Sequence, residues 1–491
     1  MRSLLEKTTR RRMELLEILS ADNRWYKLED LAEKLDCSKR TLNNDIAVIQ
    51  GDLMEGWLLI TSRKLGIQMQ TPDNAHVDKL YQYFMQHSMS IKLLLGTFYS
   101  QNRTVEEWAD ELFTSPSSLY RLIHRIRKKM AVYGVTLNIN PVYVTGKESQ
   151  VRYFFSQLFY TTFGIDKWPF QADDREAIDR YIATQESIVG YRFVYPHRQE
   201  RFVWLQVSLE RIRQGYFIDM AEIAVPFYER KAELQNSFKQ LEKDTGVVLN
   251  EGERYGIKLL QLQGLGYEKD ANIQASLTFF KSCVPSKLAQ AEELLDDIVT
   301  LYNHAYPPNK DEILLQLLSY LLYLEQFVEF DSFIVSKRGY VTNVLNKEFP
   351  IFCEAVRKAV NDMKIANLKA ETVIFFLGTL WKGLAEETRK EIEPVRILVA
   401  SQLSVSNTRF LKSIVASRFQ NQVMLFEMKE ANLNEEDLLA KKIDFILADF
   451  ATKNYTSVPT VEVNYFPSER DWRNIRKKIH SVQKEKMAHD E

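Results

Sequence analysis

The sequence predicts a mainly α-helical, multidomain chain with two winged helix-turn-helix units at its N-terminal end and an α/β unit at its C-terminal end. Three observations lead there. Helical apolar periodicity runs through most of the 491 residues, with only 17 Gly and 13 Pro to interrupt it. A segment near the start recurs further along the chain, Leu28–Ile49 matching Val105–Ile126 at a shift of 105 − 28 = 77 residues. From Glu393 onward, short apolar runs alternate with helical stretches.

The repeat comes first because it carries function. Under the shift Leu28 meets Val105, Leu31 meets Trp108, Ala32 meets Ala109, Leu35 meets Leu112, Ser38 meets Ser115, Leu42 meets Leu119 and Ile46 meets Ile123. Each match falls on an apolar helical face or on a cap. In the first copy a short amphipathic helix over Leu28–Leu35 is broken at Asp36-Cys37-Ser38. Ser38 can then N-cap a second helix that buries Leu42, Ile46 and Ile49. The opposite face offers Lys39, Arg40, Asn43 and Asn44, polar side chains near the start of the second helix of a tight pair. That is the helix-turn-helix layout.

Each copy is followed by two strand-like runs. Trp57–Ser62 and Leu65–Met69 flank the basic turn Arg63-Lys64; Val135–Ile139 and Val142–Thr145 flank Asn140-Pro141. Both are expected to be hairpin wings. The first wing tip places cations near phosphates; the second carries no comparable charge.

The second recognition helix, Ser115 to Met130, contains Arg121, Arg125, Arg127, Lys128 and Lys129 and no acid. Net charge over the chain is −1, so binding to nucleic acid must rest on such local surfaces. The expected DNA-contacting residues are Ser38, Lys39, Arg40, Asn43, Asn44, Arg63 and Lys64 in the first unit. In the second they are Ser115, Ser117, Ser118, Arg121, His124, Arg125 and Lys128. The bland alternative is a pair of helical hairpins with solvated basic faces.

A Phe- and Tyr-rich helix is expected over Glu148–Phe163, then a linker over Gly164–Asp174. Long amphipathic helices follow, among them Arg198–Gln214, Glu229–Lys243, Lys287–Asn303, Asp311–Phe330 and Ala370–Glu387. They suit two helical bundles. The expected domains are 1–72 and 73–165 (winged units), 170–284 and 285–391 (bundles) and 392–491 (α/β). His197 and His304 each precede a predicted helix, where free backbone N–H groups favour an anion; a histidine there is a candidate phosphoryl acceptor, or simply a surface residue.

In the last unit, strands are expected at Val395–Ala400, Val423–Glu427, Phe445–Ala448 and Val461–Val463. Helices are expected at Asn407–Phe419, Leu433–Lys441 and Glu469–Gln483. The alternation implies a parallel sheet. The loop after the first strand holds Ser401, Ser404, Ser406 and Thr408 and could take an anion weakly. It offers no nucleophile with an evident base, so docking or dimerisation is favoured over catalysis, and no catalytic residue is expected.

Cys37, Cys283 and Cys353 lie far apart and form no CxxC pair, so no metal site or cofactor is expected. No apolar run approaches the ~18 residues of a membrane span, and the N-terminus lacks a leader-like segment. A cytoplasmic protein without membrane contact is expected.

The order of these parts resembles the Mga/AtxA family of transcription regulators of Gram-positive bacteria. The resemblance covers nearly the whole chain and rests on LEDLAEKLDCSKRTLNNDI, on RTVEEWADELFTSPSSLYRLIHRIRKKM and on the domain order. It implies double-stranded DNA as partner and two phosphotransferase-system regulation domains (PRD-like bundles). Those would be phosphorylated on histidine, His197 and His304 being the best matches, by sugar-transport phosphocarrier proteins. It further implies an end domain similar to enzyme IIB that supports a homodimer or higher homo-oligomer. No cysteine follows Cys353, so that end domain is expected to act as a contact surface. The alternatives are an RNA-binding antiterminator with similar regulation domains, and an enzyme using the α/β unit.

Overall fold

The first winged unit consists of α1 (Lys7–Ser20), α2 (Leu28–Lys34), α3 (Lys39–Asp52), β1 (Leu58–Ser62) and β2 (Gly66–Gln70). The computed structural model describes residues 2–20, 24–53, 56–72, 77–164, 167–171, 173–189, 192–193, 195–223, 232–258, 270–328, 337–385, 394–427, 435–450 and 458–489. Leu31, Leu42, Ile46 and Ile49 are buried together with Leu15, Leu16 and Leu19 of α1. Apolar residues at helical spacing on three helices thus close one core. The wing is antiparallel, with Ser62 paired to Gly66 and Leu58 to Gln70. Tyr26 adds a third rung, exchanging two 2.8 Å backbone hydrogen bonds with Ile67.

The second unit repeats this plan with α4 (Val77–His87), α5 (Met89–Tyr99), α6 (Val105–Glu111), α7 (Pro116–Met130), β3 (Val135–Ile139) and β4 (Val142–Gly146). Its third rung is the 2.9 Å bond from Val142 N to Arg103 O. Trp108 packs so close to α5 that a Cβ on Gly96 would stand 2.4 Å from the indole ring, which is why only glycine fits there.

Helix α8 (Glu148–Phe163) packs on α4, α5 and the second wing, and on the helical region beyond. Along most of its length it is buried, charges included. Arg152 is fully buried and grips Glu253 with two hydrogen bonds of 2.5 and 2.8 Å; Glu148 takes 2.9 and 2.7 Å bonds from Arg211 and one of 2.9 Å from Arg152. Two arginines and two glutamates balance within the cluster, and these mutual bonds offset the cost of taking them out of water.

The helical region comprises α9 (Arg175–Val189), α10 (Tyr195–Arg213), α11 (Ala232–Thr245), α12 (Glu251–Lys258), α13 (Asp270–Cys283), α14 (Pro285–Tyr302), α15 (Lys310–Gln326), α16 (Lys337–Glu348), α17 (Pro350–Met363) and α18 (Ala370–Leu380). Helices α9 to α12 pack among themselves, as do α13 to α18. Helix α13 lies before the expected boundary at 284/285 but packs against α14 and α15, beyond it. The helix expected to run to Glu387 ends at Leu380, ahead of a turn where Gly383 takes a φ of 94°. The expected ends at Glu229, Phe330, Glu387 and Leu433 lie outside the described residues.

By internal packing the chain divides into Met1–Leu380 and Trp381–Glu491. In the second unit β5 (Val395–Ala400), α19 (Val405–Phe419), β6 (Val423–Glu427), α20 (Glu435–Ala440), β7 (Phe445–Ala448), β8 (Thr460–Glu462) and α21 (Glu469–His489) build a four-stranded parallel sheet of order β6-β5-β7-β8. Val395, Ile397 and Val399 pack on α19 and α21, whereas Leu398 and Ala400 face α20. Both faces are covered, so β5 is apolar on both from Ile397 to Ala400.

Candidate nucleic-acid interface

The two recognition helices start alike. Ser38 accepts a 3.1 Å hydrogen bond from Thr41 N, and Ser115 a 3.3 Å bond from Ser118 N. Each serine satisfies one orphan donor of its helix. The turns ahead of them match bond for bond. Cys37 N donates to Ala32 O and Asp36 N to Glu33 O in one; Thr114 N donates to Ala109 O and Phe113 N to Asp110 O in the other. In each, the residue two before the cap has a positive φ, 46° at Asp36 and 51° at Phe113.

These starts are presented to solvent. Ser38, Lys39, Arg40, Asn43 and Asn44 are exposed on α3, as are Arg63 and Lys64 at the wing tip. On α7, Ser115 (its cap), Ser117, Arg121, His124, Arg125 and Lys128 are exposed, with Ser118 half-buried. Arg127 and Lys129 are exposed too. Leu119, Leu122, Ile123, Ile126 and Met130 fill the buried face.

The cations differ in freedom. Lys39 Nζ stands 2.5 Å from Glu29 on the surface, a pair of little energetic weight. Arg121 folds back on its own helix, reaching Ser118 Oγ at 3.2 Å and Ser117 O at 3.4 Å. Arg125 donates to Ser90 Oγ at 3.2 Å.

Two supporting devices were invisible in the sequence pattern. Asp45, on α3 and 2% exposed, receives Arg11 Nε at 2.6 Å and Arg12 Nε at 2.8 Å, locking α1 to the recognition helix. Its hydrogen bond raises the pKa of Arg11 further above its ordinary value. Glu6, ahead of α1, accepts Ser90 N at 2.7 Å, Ser90 Oγ at 2.8 Å and Ser88 Oγ at 2.8 Å at the start of α5. Ser90 Oγ is also the group that Arg125 reaches, so a path of hydrogen bonds runs from the N-terminal segment to α7. A partner fixed by long-range placement leaves no mark in periodicity. The one available signal was Asp45 itself, an acid within the first two turns of a helix that is otherwise basic and amidic there.

The two histidines sit differently from each other. His197 is exposed in the first turn of α10 rather than ahead of it, and its carbonyl accepts Arg201 Nη1 at 3.2 Å. His304 does not stand at a helix start. It follows Asn303, the left-handed cap that ends α14, and α15 begins only at Lys310. Its ring stacks on Tyr302 at 3.7 Å, with Nδ1 2.6 Å from Tyr302 O.

In the C-terminal unit the loop after β5 is already occupied by a carboxylate. Asp449, just past β7, accepts Ser401 Oγ at 2.5 Å and Gln402 N at 2.8 Å. Ser401 Oγ also takes bonds from Asn407 Nδ2 at 2.9 Å and Leu403 N at 3.2 Å. The place where the sequence suggested a weak anion site is thus taken by the protein's own anion. Nearby, Leu403, Val405, Phe410 and Phe466 are between 49% and 64% exposed, and the rings of Phe410 and Phe466 lie 6.1 Å apart.

Residues 6–64 match the family model described as the M protein trans-acting positive regulator (MGA) HTH domain, and residues 73–159 match that described as the Mga helix-turn-helix domain. The chain is 25% identical over 470 residues to a putative trans-acting regulator of Streptococcus pneumoniae, covering 92% of this chain and 93% of that protein. It is 21% identical to the capsule synthesis positive regulator AcpB of Bacillus anthracis, over 96% and 98% of the two chains. With the anthrax toxin expression trans-acting positive regulator of the same organism it shares 22% identity, over 97% and 99%.

Proposed function

We propose that this chain, Mga/AtxA-like by those matches, is a transcription regulator that binds duplex DNA through α3 and α7 and their wings. One observation carries the reading: α7 exposes five cations and no acid on a helix whose capped start faces solvent. Such a surface neutralises phosphates and releases counterions. The exposed Asn43 and Asn44 of α3 are suited to adenine edges.

The test is a salt titration of binding to duplex DNA. Arg121 and Lys128 are the pair to remove, because Arg125 also holds Ser90. Arg121→Ala with Lys128→Ala should weaken binding to all sequences and reduce the salt slope by about 2, roughly one per lost phosphate contact. An unchanged slope counts against the reading. Hairpin RNA competing as well as duplex DNA would favour the antiterminator instead.

Histidine phosphorylation and self-association belong to the same proposal. His197 is the better acceptor: a phosphoryl dianion there would lie at the positive end of α10, beside Arg198 and Arg201. His304 stands at the carbonyl end of α14, where the helix dipole opposes added negative charge. Incubation with a phosphocarrier protein should label His197 ahead of His304; labelling at neither removes this part. The exposed apolar side chains beside the loop after β5 support a contact between copies, and sedimentation at rising concentration checks it. The same loop supports a non-enzymatic role, since the hydroxyl of Ser401 is engaged on every side.

A further inference from the structure

Phe113 stands out on two independent counts. It is 97% exposed, the highest value for a large apolar side chain among the described residues. Its φ of 51° places it in the left-handed region, which a bulky residue rarely adopts. The first unit shows what the fold requires at this position. There the equivalent residue is Asp36, at φ 46°, and Asp tolerates that conformation because its short polar side chain bonds locally. The turn hydrogen bonds are the same in both units, so the fold gains nothing from the ring. Strain combined with full exposure of an aromatic is a pattern found where function holds a residue in place.

Its position identifies the partner. Phe113 lies two residues before Ser115, the cap of α7, and so stands at the N-terminal end of the helix that enters the major groove in this class of domain. The apolar feature of the major groove is the thymine C5 methyl group, and Phe is one of the side chains that contact it. We propose that Phe113 is an apolar base-reading residue which packs on a thymine methyl group at the edge of the site bound by the second winged unit. This rests on the DNA-binding reading above. It divides the labour within that unit: Arg121 and Lys128 grip the backbone, and Phe113 adds sequence preference for A·T pairs that a basic helix alone does not supply.

The experiment uses the full-length chain and a duplex of about 40 base pairs selected by it from a random pool, enough for two helix-turn-helix sites one or more turns apart. Phe113→Asn suits the left-handed position, and Phe113→Asp copies the first unit. Both should leave the thermal midpoint unchanged or raised while weakening binding to the selected duplex roughly tenfold, the scale of one lost base contact. Replacing thymine by uracil within the half-site should weaken the parent protein by a similar factor and leave Phe113→Asn unaffected. Equal sensitivity of the two proteins to uracil overturns the inference, and so does full affinity of the Asn variant. A variant that keeps DNA affinity but loses transcriptional activity would assign the ring to a protein contact, which also overturns it. Failure of the broader reading looks different: the parent then selects no duplex, and Arg121→Ala with Lys128→Ala changes nothing.

Discussion

The two winged units share a backbone plan down to the hydrogen bonds of their turns, yet they are held together by different chemistry. At the position of Asp45 in the first unit, the second carries Leu122, 8% exposed. The first unit therefore fixes its recognition helix with a buried carboxylate between Arg11 and Arg12, whereas the second does so with apolar contact. The caps differ as well. Thr104 starts α6 with a complete capping box, its side chain accepting from Glu107 N while Glu107 bonds back to Thr104 N. The equivalent Lys27 gives α2 no side-chain cap. The comparison teaches that the duplicated feature is the turn and the presented helix, while the means of holding that helix is free to vary. It also shows where the cations went: in the first unit two arginines outside the recognition helix serve the fold, and in the second the recognition helix itself carries five exposed cations, of which Arg125 also holds Ser90.

The largest expected effect tests that contrast directly. Asp45→Ala leaves two half-buried arginines without their shared carboxylate and should cost about 2–3 kcal/mol, the scale of a lost hydrogen bond to a charged group whose partners still reach water. Replacing the whole cluster should behave otherwise. Asp45→Leu combined with Arg11→Met and Arg12→Leu gives the first unit the apolar solution of the second, and should return most of the stability. Urea denaturation of the three proteins decides it. If the triple variant is as unstable as Asp45→Ala, the ion cluster is more than an alternative fastening.

A smaller effect concerns the caps. Thr104→Ala removes a capping box and should cost about 1 kcal/mol, while Lys27→Ser should add up to about the same to the first unit. Thermal melts monitored by circular dichroism give both. If Lys27→Ser is neutral, the side-chain cap contributes less here than the packing of Leu31 and Ala32.

How much of this was legible follows from which forces are local. Ser38 and Ser115 announce their caps within three residues, and the wings announce themselves by alternation around short turns; all lie where the spacing placed them. The parallel sheet was readable because short apolar runs alternate with helical stretches from Glu393 onward. Asp45 was not readable, since its partners are more than thirty residues away and nothing in α3 itself requires them. Asp449 was not either: it closes the loop after β5 from the end of a different strand. His304 misled because Tyr306-Pro307-Pro308 suggested the start of a helix, while the αL geometry of Asn303 that ends α14 has no comparable mark. Phe113 escaped notice because exposure is a property of the folded surface and its strain appears only in the backbone.

The smallest effect tests the path between the units. Burial alone would raise the pKa of Glu6, but the hydrogen bonds it accepts from Ser90 N, Ser88 Oγ and Ser90 Oγ outweigh that, and the net shift is below its ordinary 4.5. A carboxylate depressed in the folded state contributes stability that is fully present above its unfolded value and is lost as pH falls through the folded one. Glu6→Gln should therefore cost roughly 0.5–1 kcal/mol at pH 7, the scale of a charge at a helix start. The gap between variant and parent should close as the pH drops from about 5 to below the depressed value. Gln keeps one amide oxygen for Ser90 but not the charge behind it, so the hold on Ser90 and through it on Arg125 weakens, and DNA affinity should fall slightly with no change in salt slope. A gap that stays constant with pH would mean that Glu6 acts by packing alone, and the two units would then be joined by apolar contact, with no electrostatic path from the N-terminal segment to α7.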